Sequence, residues 1–298
     1  MLVIGSRGSK LALWQAAWVK AKLEASGHSC AIEIIHTTGD RISDVPLANV
    51  GTKGIFIKEI EEALLDGSID LAVHSLKDMP TELPSGLMLA ATPTREDPRD
   101  ALIGCKLAEL GKGARVGTSS LRRAAQLRAL RPDLQLEPVR GNLDTRLKKL
   151  EQGQYDAMVL AAAGLRRLGW EDRIAQLFEP ELMCPAVGQG ALAIETRNDG
   201  GTGQQACELL DDVATRRCVT AERALLAALG GGCQVPLGAY ARLQGERLEL
   251  QAVIVSPDGA TMVRRSAQGM DALALGEHLA RELLEAGGRE ILESVFKT

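Results

Sequence analysis

Aromatic side chains are scarce, with 3 Trp, 2 Tyr and 3 Phe in 298 residues. Single-stranded nucleic acid is held largely by aromatic stacking, so that class of partner is not expected. Strong positive charge is missing too: 35 Lys and Arg stand against 39 Asp and Glu, net −4, where a general nucleic-acid binder would be basic. No apolar run approaches the roughly 18–20 residues that span a bilayer. The apolar start Leu2–Ile4 is broken by Arg7 and Lys10 with no basic segment before it, which does not read as a secretory signal. Cys30, Cys105, Cys184, Cys207, Cys218 and Cys233 are widely spaced, with no Cys-x-x-Cys pair and no His at zinc spacing. No metal site is expected from them, and reduced thiols in the cytoplasm are. Gly117, Gly141 and Gly190 form no G-x-G-x-x-G fingerprint and no Walker sequence occurs, so nucleotide binding has no support.

What is present is an ordinary globular composition, 45% hydrophobic and 25% charged, in a chain long enough for two or three domains. The near-neutral total hides a split. Residues 95–173 carry 16 basic and 11 acidic side chains, including 12 of the 24 arginines, and the flanking regions are acidic. Arginine grips carboxylate or phosphate through paired hydrogen bonds. On charge alone, a solvated basic face is the simpler explanation of the excess, and Arg115, Arg128 and Arg131 fit it.

Short apolar runs alternate with helical periodicity. Strands are expected at 2–5, 31–36, 69–74, 87–91, 115–117, 134–139 and 157–161, and helices at 10–25, 55–65, 120–130 and 143–151. This alternation predicts an α/β protein with largely parallel sheets, which bind ligands at the carboxyl ends of their strands. The last third groups its strands (238–243, 248–255, 261–267) ahead of helices at 272–285 and 289–295, behind a helix at 215–229. That order predicts an α+β domain with an antiparallel sheet. Linkers are expected near 92–99 and 198–203. No internal repeat is visible.

Four basic segments fall where a strand gives way to a helix: Gly5–Lys10, Gly117–Arg123, Arg140–Asn142 with Arg146, and Gly164–Arg167. A helix N-terminus with outward N–H groups attracts anions, and adjacent arginines add to the attraction. One such segment is ordinarily a capped helix with surface arginines; four suggest a cleft for a substrate with several negative groups. Asp78 follows the 69–74 strand beside Lys77. It reads either as a turn residue before Pro80 or as a carboxylate that stabilises a developing cation or moves a proton. His74 reads as a packed strand residue. Cys233 follows Gly230-Gly231-Gly232, which removes bulk from its approach. It reads as a small buried hydrophobe or as a covalent attachment point.

Eight motifs in order then carry a resemblance: Arg7-Gly-Ser-Lys-Leu-Ala-Leu-Trp-Gln15, Lys53-Gly-Ile-Phe-Ile-Lys-Glu59, His74-Ser-Leu-Lys-Asp-Met-Pro80, Arg95-Glu-Asp-Pro-Arg-Asp100, Gly117-Thr-Ser-Ser-Leu-Arg-Arg123, Arg140-Gly-Asn142 with Thr145-Arg146, Pro185-Ala-Val-Gly-Gln-Gly190, and Gly231-Gly-Cys-Gln-Val-Pro236. Over essentially its whole length the chain resembles the hydroxymethylbilane synthase (porphobilinogen deaminase) family. The resemblance implies two lobes of the type II periplasmic-binding-protein class plus a small C-terminal α+β domain. The expected boundaries are 1–94 for domain 1, 95–186 for domain 2, 187–210 for the return to domain 1, and 211–298 for domain 3.

The resemblance also implies the chemistry. Four porphobilinogen molecules are joined head to tail with loss of ammonia, onto a dipyrromethane primer held by a thioether to Cys233, and a linear tetrapyrrole is released by hydrolysis. Loss of ammonia leaves an electron-poor azafulvene, and Asp78 is the implied catalytic residue, stabilising positive charge on the pyrroles. Each pyrrole brings two carboxylates, which accounts for Arg7, Arg122, Arg123, Arg140, Arg146 and Arg167. Ser9, Gln15, Lys53, Ser75, Lys77, Thr118, Ser120 and Gln189 match positions around cofactor or substrate. A cytoplasmic monomer without metal, nucleic-acid or membrane partner is implied. Asn49 stands where many members carry Lys, and Gly230 where many are acidic. The competing reading is a non-catalytic two-lobed binder of a polycarboxylate or oxyanion, which does not call for the extra domain bearing Cys233.

Overall fold

The computed structural model describes residues 1–41, 57–230 and 235–296. In chain order the elements are β1 (Leu2–Ser6), α1 (Lys10–Ala25), β2 (Cys30–Ile34), α2 (Thr38–Arg41), α3 (Lys58–Leu65), β3 (Leu71–Ser75), β4 (Leu87–Ala91), β5 (Asp100–Ile103), β6 (Arg115–Gly117), α4 (Leu121–Leu130), β7 (Gln135–Glu137), α5 (Leu143–Glu151), β8 (Ala157–Ala161), α6 (Ala162–Arg167), β9 (Ile174–Phe178), β10 (Leu192–Arg197), α7 (Thr202–Glu208), α8 (Val213–Ala228), β11 (Leu237–Gln244), β12 (Arg247–Val255), β13 (Met262–Gly269), α9 (Ala272–Leu283) and α10 (Arg289–Phe296). The fold is mixed α/β. Two compact units divide the chain: Met1–Glu96 with Ala191–Arg216, and Asp97–Gly190 with Arg217–Thr298.

The first unit is built on a sheet of order β2-β1-β3-β10-β4. β1, β2 and β3 run parallel, and β10 runs antiparallel to both its neighbours. Alternation along β3 sends Leu71 and Val73 to one face, with Ala16, Val19 and Leu23 of α1. Ala72 goes to the other, with Ile60 and Leu64 of α3. α1 begins at the Ser9 cap, whose side chain accepts from the Ala12 N–H. It ends where Gly27 takes φ +93° and the His28 N–H reaches back to the Leu23 carbonyl, a closure that favours glycine.

The second unit holds a sheet of order β7-β6-β8-β5-β9 and an antiparallel sheet β11-β12-β13. In the former, β6, β7 and β8 are parallel and β5 is antiparallel to β8 and β9. Across the sheet this is the pattern of directions of the first unit, with three parallel strands, then one reversed strand, then an outer strand. No repeat is visible in the sequence because the two share strand order and not residues. The reversed strand is the last of its sheet in chain order in one unit (β10) and the first in the other (β5). The antiparallel sheet packs through Leu248, Leu250, Ala252 and Ile254 against α8 and α9, burying Leu225, Leu275, Leu279 and Leu283.

The sheets are thus less parallel than the alternation predicts. β5, β9 and β10 lie outside it. β5 is buried at every position, and β10 at all but its last, so neither has the polar alternation of a half-exposed strand. The segment expected as a linker near 198–203 runs into α7. Among the described residues no helix is long and apolar enough to cross a membrane.

Candidate active site

In the first unit the motif residues gather at the carboxyl edge of neighbouring strands. Arg7 and Ser9 follow β1, and Ser75, Lys77 and Asp78 follow β3. Gln15 lies on the inner face of α1, 2% exposed, and its Nε2 donates to Ser75 Oγ at 2.9 Å. That bond joins the helix after one strand to the end of the next. Leu76–Asp78 forms a single 3-10 turn, anchored by the Leu76 N–H on the Ala191 carbonyl and the Met79 N–H on the Leu76 carbonyl. The apolar Leu76 and Met79 are buried, which leaves Asp78 exposed between them. A fixed backbone with an exposed carboxylate suits a group that must meet a substrate.

The second unit repeats the arrangement with cations. Thr118 follows β6, and Ser120 caps α4, accepting from the Arg123 N–H at 3.4 Å. Ser119 Oγ both donates to the Val139 carbonyl (2.6 Å) and accepts the Val139 N–H (2.9 Å), tying this turn to the one leading to Arg140. A side chain at Gly117 would place its Cβ 3.1 Å from Met158 and Tyr155 side-chain atoms, a tight fit that favours glycine at this strand end. Gly141 takes φ +103°, and its carbonyl accepts from Arg146 Nε at 2.8 Å. Arg167 is 8% exposed, and its Nη2 donates to the Gly190 carbonyl at 2.6 Å.

Arg122 and Arg123 turn inward. Arg122 Nη1 donates to Asp100 Oδ2 (2.6 Å) and to the Cys184 carbonyl (2.7 Å), and its Nη2 to Asp100 Oδ1 (3.3 Å). Arg123 Nε donates to Asp100 Oδ1 at 2.8 Å. Gln189 Nε2 donates to the same oxygen at 3.0 Å, while its Oε1 accepts from Arg123 Nη2 at 3.3 Å. Burial alone would raise the Asp100 carboxyl; the two guanidiniums overcome it and hold it well below the usual carboxylate range. Asp100 is therefore the hub of three of the motif residues. Sequence reading placed it in a motif without a role. The available signal was an acid opening the apolar run Asp100–Ile103, since a buried acid needs partners.

A second network joins Asp97, Arg99, Arg166 and Glu179, with Arg99 on Asp97 at 2.8 Å and Arg166 on Asp97 at 3.0 Å. Arg115, Arg128 and Arg131, expected as a solvated face, each have a partner: Asp156, the Pro257 carbonyl and Asp133. His74 is a packed strand residue, 6% exposed. Burial pushes the Cys184 thiol up to about 12, which makes it unreactive. Lys53, Asn49 and Cys233 lie outside the described residues. Among the described residues no cluster of His, Cys, Asp and Glu could hold a metal ion.

Two protein-family models match the chain: "Porphobilinogen deaminase, dipyromethane cofactor binding domain" over residues 2–204 and "Porphobilinogen deaminase, C-terminal domain" over residues 216–285. The chain belongs to the porphobilinogen deaminase family. A porphobilinogen deaminase from Roseiflexus sp. (strain RS-1) is 55% identical over 298 residues, covering 98% of each chain. Another, from Trichlorobacter lovleyi, is 52% identical over 302 residues, covering 99% of this chain and 97% of that one. Among solved structures, a periplasmic substrate-binding protein of an ABC transporter from Coxiella burnetii matches with a TM-score of 0.45 at 14% identity, over 75% of this chain and 97% of that one. Porphobilinogen deaminases are transferases, which displaces the reading of a non-catalytic binder.

The family's dipyrromethane is a polycarboxylate, and the described residues fit one. Arg122 and Arg123 share a single carboxylate, so the pair with Asp100 keeps a net positive charge. Arg122 Nε is buried with no hydrogen-bond partner among the described residues, a donor still open to an acceptor. Thr118 and Ser120 add hydroxyls at the start of the same helix.

Proposed function

We propose that this chain is a hydroxymethylbilane synthase: it condenses four porphobilinogen molecules head to tail, with loss of one ammonia each, and releases the linear tetrapyrrole by hydrolysis. The observation that carries the reading is the exposed Asp78 carboxylate on a turn whose flanking side chains are buried. Dipyrromethane, bound through a thioether to Cys233, would supply the free pyrrole α-carbon onto which the chain is extended. Arg122, Arg123, Arg140, Arg146 and Arg167, with Thr118, Ser120 and Gln189, would hold its carboxylates and those of the growing product. Arg7, Ser9, Gln15, Lys53, Ser75 and Lys77 would serve the incoming substrate.

Each residue type has a physical reason. Departure of ammonia leaves positive charge on the pyrrole, and a carboxylate preorganised at the pyrrole N–H groups lowers the energy of that charge without having to reorient. The turn that leaves Asp78 exposed supports this role, and the Gln15 bond to Ser75 would steady the end of the strand before it. Each condensation adds two carboxylates, so a cation-rich region keeps the accumulating charge from opposing the next step. We also take residues 211–298 as a third, cofactor-carrying domain, and the enzyme as a cytoplasmic monomer, the location in keeping with its widely spaced cysteines.

Asp78→Ala tests the reading. The exposed site predicts an unfolding free energy within about 0.5 kcal/mol of wild type and turnover of porphobilinogen lower by about 10²-fold or more. Near-normal turnover would move the catalytic role to another group.

A further inference from the structure

Behind the Asp78 turn, on the α3 face of the first sheet, lie three titratable groups that this mechanism does not use. His74, on β3, is 6% exposed and Glu195, on β10, is 0% exposed; they meet at 3.1 Å between Nε2 and Oε2. Glu61 lies on α3, which packs on β3 and β10, and its carboxyl feels the charges of Glu195 and His74. One oxygen each of Glu61 and Glu195 is buried with no hydrogen-bond partner among the described residues. Two carboxylates so placed repel each other, and an unsatisfied buried oxygen is costly. A single proton on the pair removes the repulsion.

α3 packs on β1, β3, β4 and β10. Among the described residues, the charged groups of those strands acting on Glu61 are Glu195 and His74. Arg197, also on β10, is engaged by Asp70, Asp199 and the carbonyls of Leu64 and Ile69. On α3 itself, Glu59 accepts from Thr38 and Lys58 pairs with Glu62.

We infer that Glu61, Glu195 and His74 form a proton-holding cluster that positions the carboxyl end of β3, and with it Ser75, Lys77 and Asp78. Burial, and then the Glu195 charge, pushes the Glu61 carboxyl up to about 7, against the opposing effect of His74. Near neutrality the cluster therefore exchanges a proton where ordinary carboxyls do not. With Glu61 protonated, α3 and β10 hold β3 between them without like-charge strain. With Glu61 ionised, two like charges act on each other beside the strand that leads to Asp78. The three are positioning residues, and this role rests on the reading that Asp78 is catalytic.

The test has two arms. Carbon-13 carboxyl NMR of glutamate-labelled protein reads the proton directly and does not depend on that reading. One glutamate is expected to titrate near 7, and to vanish from the spectrum in Glu61→Gln. Should Glu61→Gln not fold, the same signal in Glu195→Gln is expected to move down toward the ordinary carboxyl range. Titration of every glutamate below about pH 6 would overturn the cluster. The second arm measures kcat and KM. Glu61→Gln mimics the protonated form, so its kcat relative to wild type is expected to rise by about twofold or more between about pH 6 and pH 8, with the KM ratio unchanged. A constant kcat ratio would overturn the positioning role, even if the titration is seen. Loss of the Asp78 reading through Asp78→Ala would leave the NMR result standing.

Discussion

The reversed strands of the two five-stranded sheets, β10 and β5, each bury an acid, and the two acids meet opposite partners. Asp100 on β5 is met by two guanidiniums and a Gln amide, and its carboxyl is held well below the usual range. Glu195 on β10 is met by one imidazole and a second acid, and Glu61 beside it is pushed up to about 7. Place in the sheet and burial are alike; the partners differ. Burial by itself therefore sets neither the charge nor the role of a buried acid, and the groups arriving from the packed helix decide both. α4 brings Arg122 and Arg123 to one acid, and α3 brings Glu61 to the other.

The largest break in this comparison is expected from Asp100→Ala. It leaves two buried guanidiniums without their shared carboxylate, and should cost about 3–5 kcal/mol in chemical denaturation. A cost below about 1 kcal/mol would mean that the arginines find other partners.

pH separates Asp100 from Glu61 further. A carboxyl held low stabilises the fold above its unfolded pKa, near 4, and loses that contribution only as pH falls through its depressed folded value. The difference between wild type and Asp100→Asn should therefore stay flat from about pH 5 to pH 8 and shrink only in acid. A carboxyl held high does the reverse, stabilising below about 4.5 and losing the contribution as pH rises toward 7. Glu195→Gln removes the charge that raises Glu61, so this variant should gain on wild type as pH rises over the same range. Glu61 is only partly buried, and the gain should be about 1 kcal/mol. Parallel pH profiles for the two variants would erase the contrast.

The smallest effect tests the likeness. Ser9 caps α1 and Ser120 caps α4 after the equivalent strands of the two sheets. Ser9→Ala and Ser120→Ala should each cost about 1 kcal/mol, measured by thermal unfolding. Markedly unequal costs would show that one hydroxyl does more than cap its helix.

Much of the fold was legible because periodicity and caps mark the elements flanking each parallel strand. The bounds expected for α1, α5, β4, β6 and β8 agree with those observed. β5 and β10 were not legible, since a strand buried on both faces carries no alternation, and a reversed strand from a distant part of the chain leaves no local mark. At the site, the strand–turn–helix junctions with their glycines and hydroxyls could be read directly. The direction of the arginines could not. Arg122 and Arg123 look like surface cations until Asp100 is placed beside them, and that placement joins residues 22 and 23 positions apart. Glu61 and Glu195, more than a hundred positions apart in sequence, left no pattern at all.

The central claim is that this chain builds a tetrapyrrole on a primer attached to Cys233, and the mass of the intact purified enzyme tests it most directly. The mass should exceed that of the sequence by two linked pyrrole units, and Cys233→Ser should remove the excess together with turnover. Active wild-type enzyme of unmodified mass would contradict it.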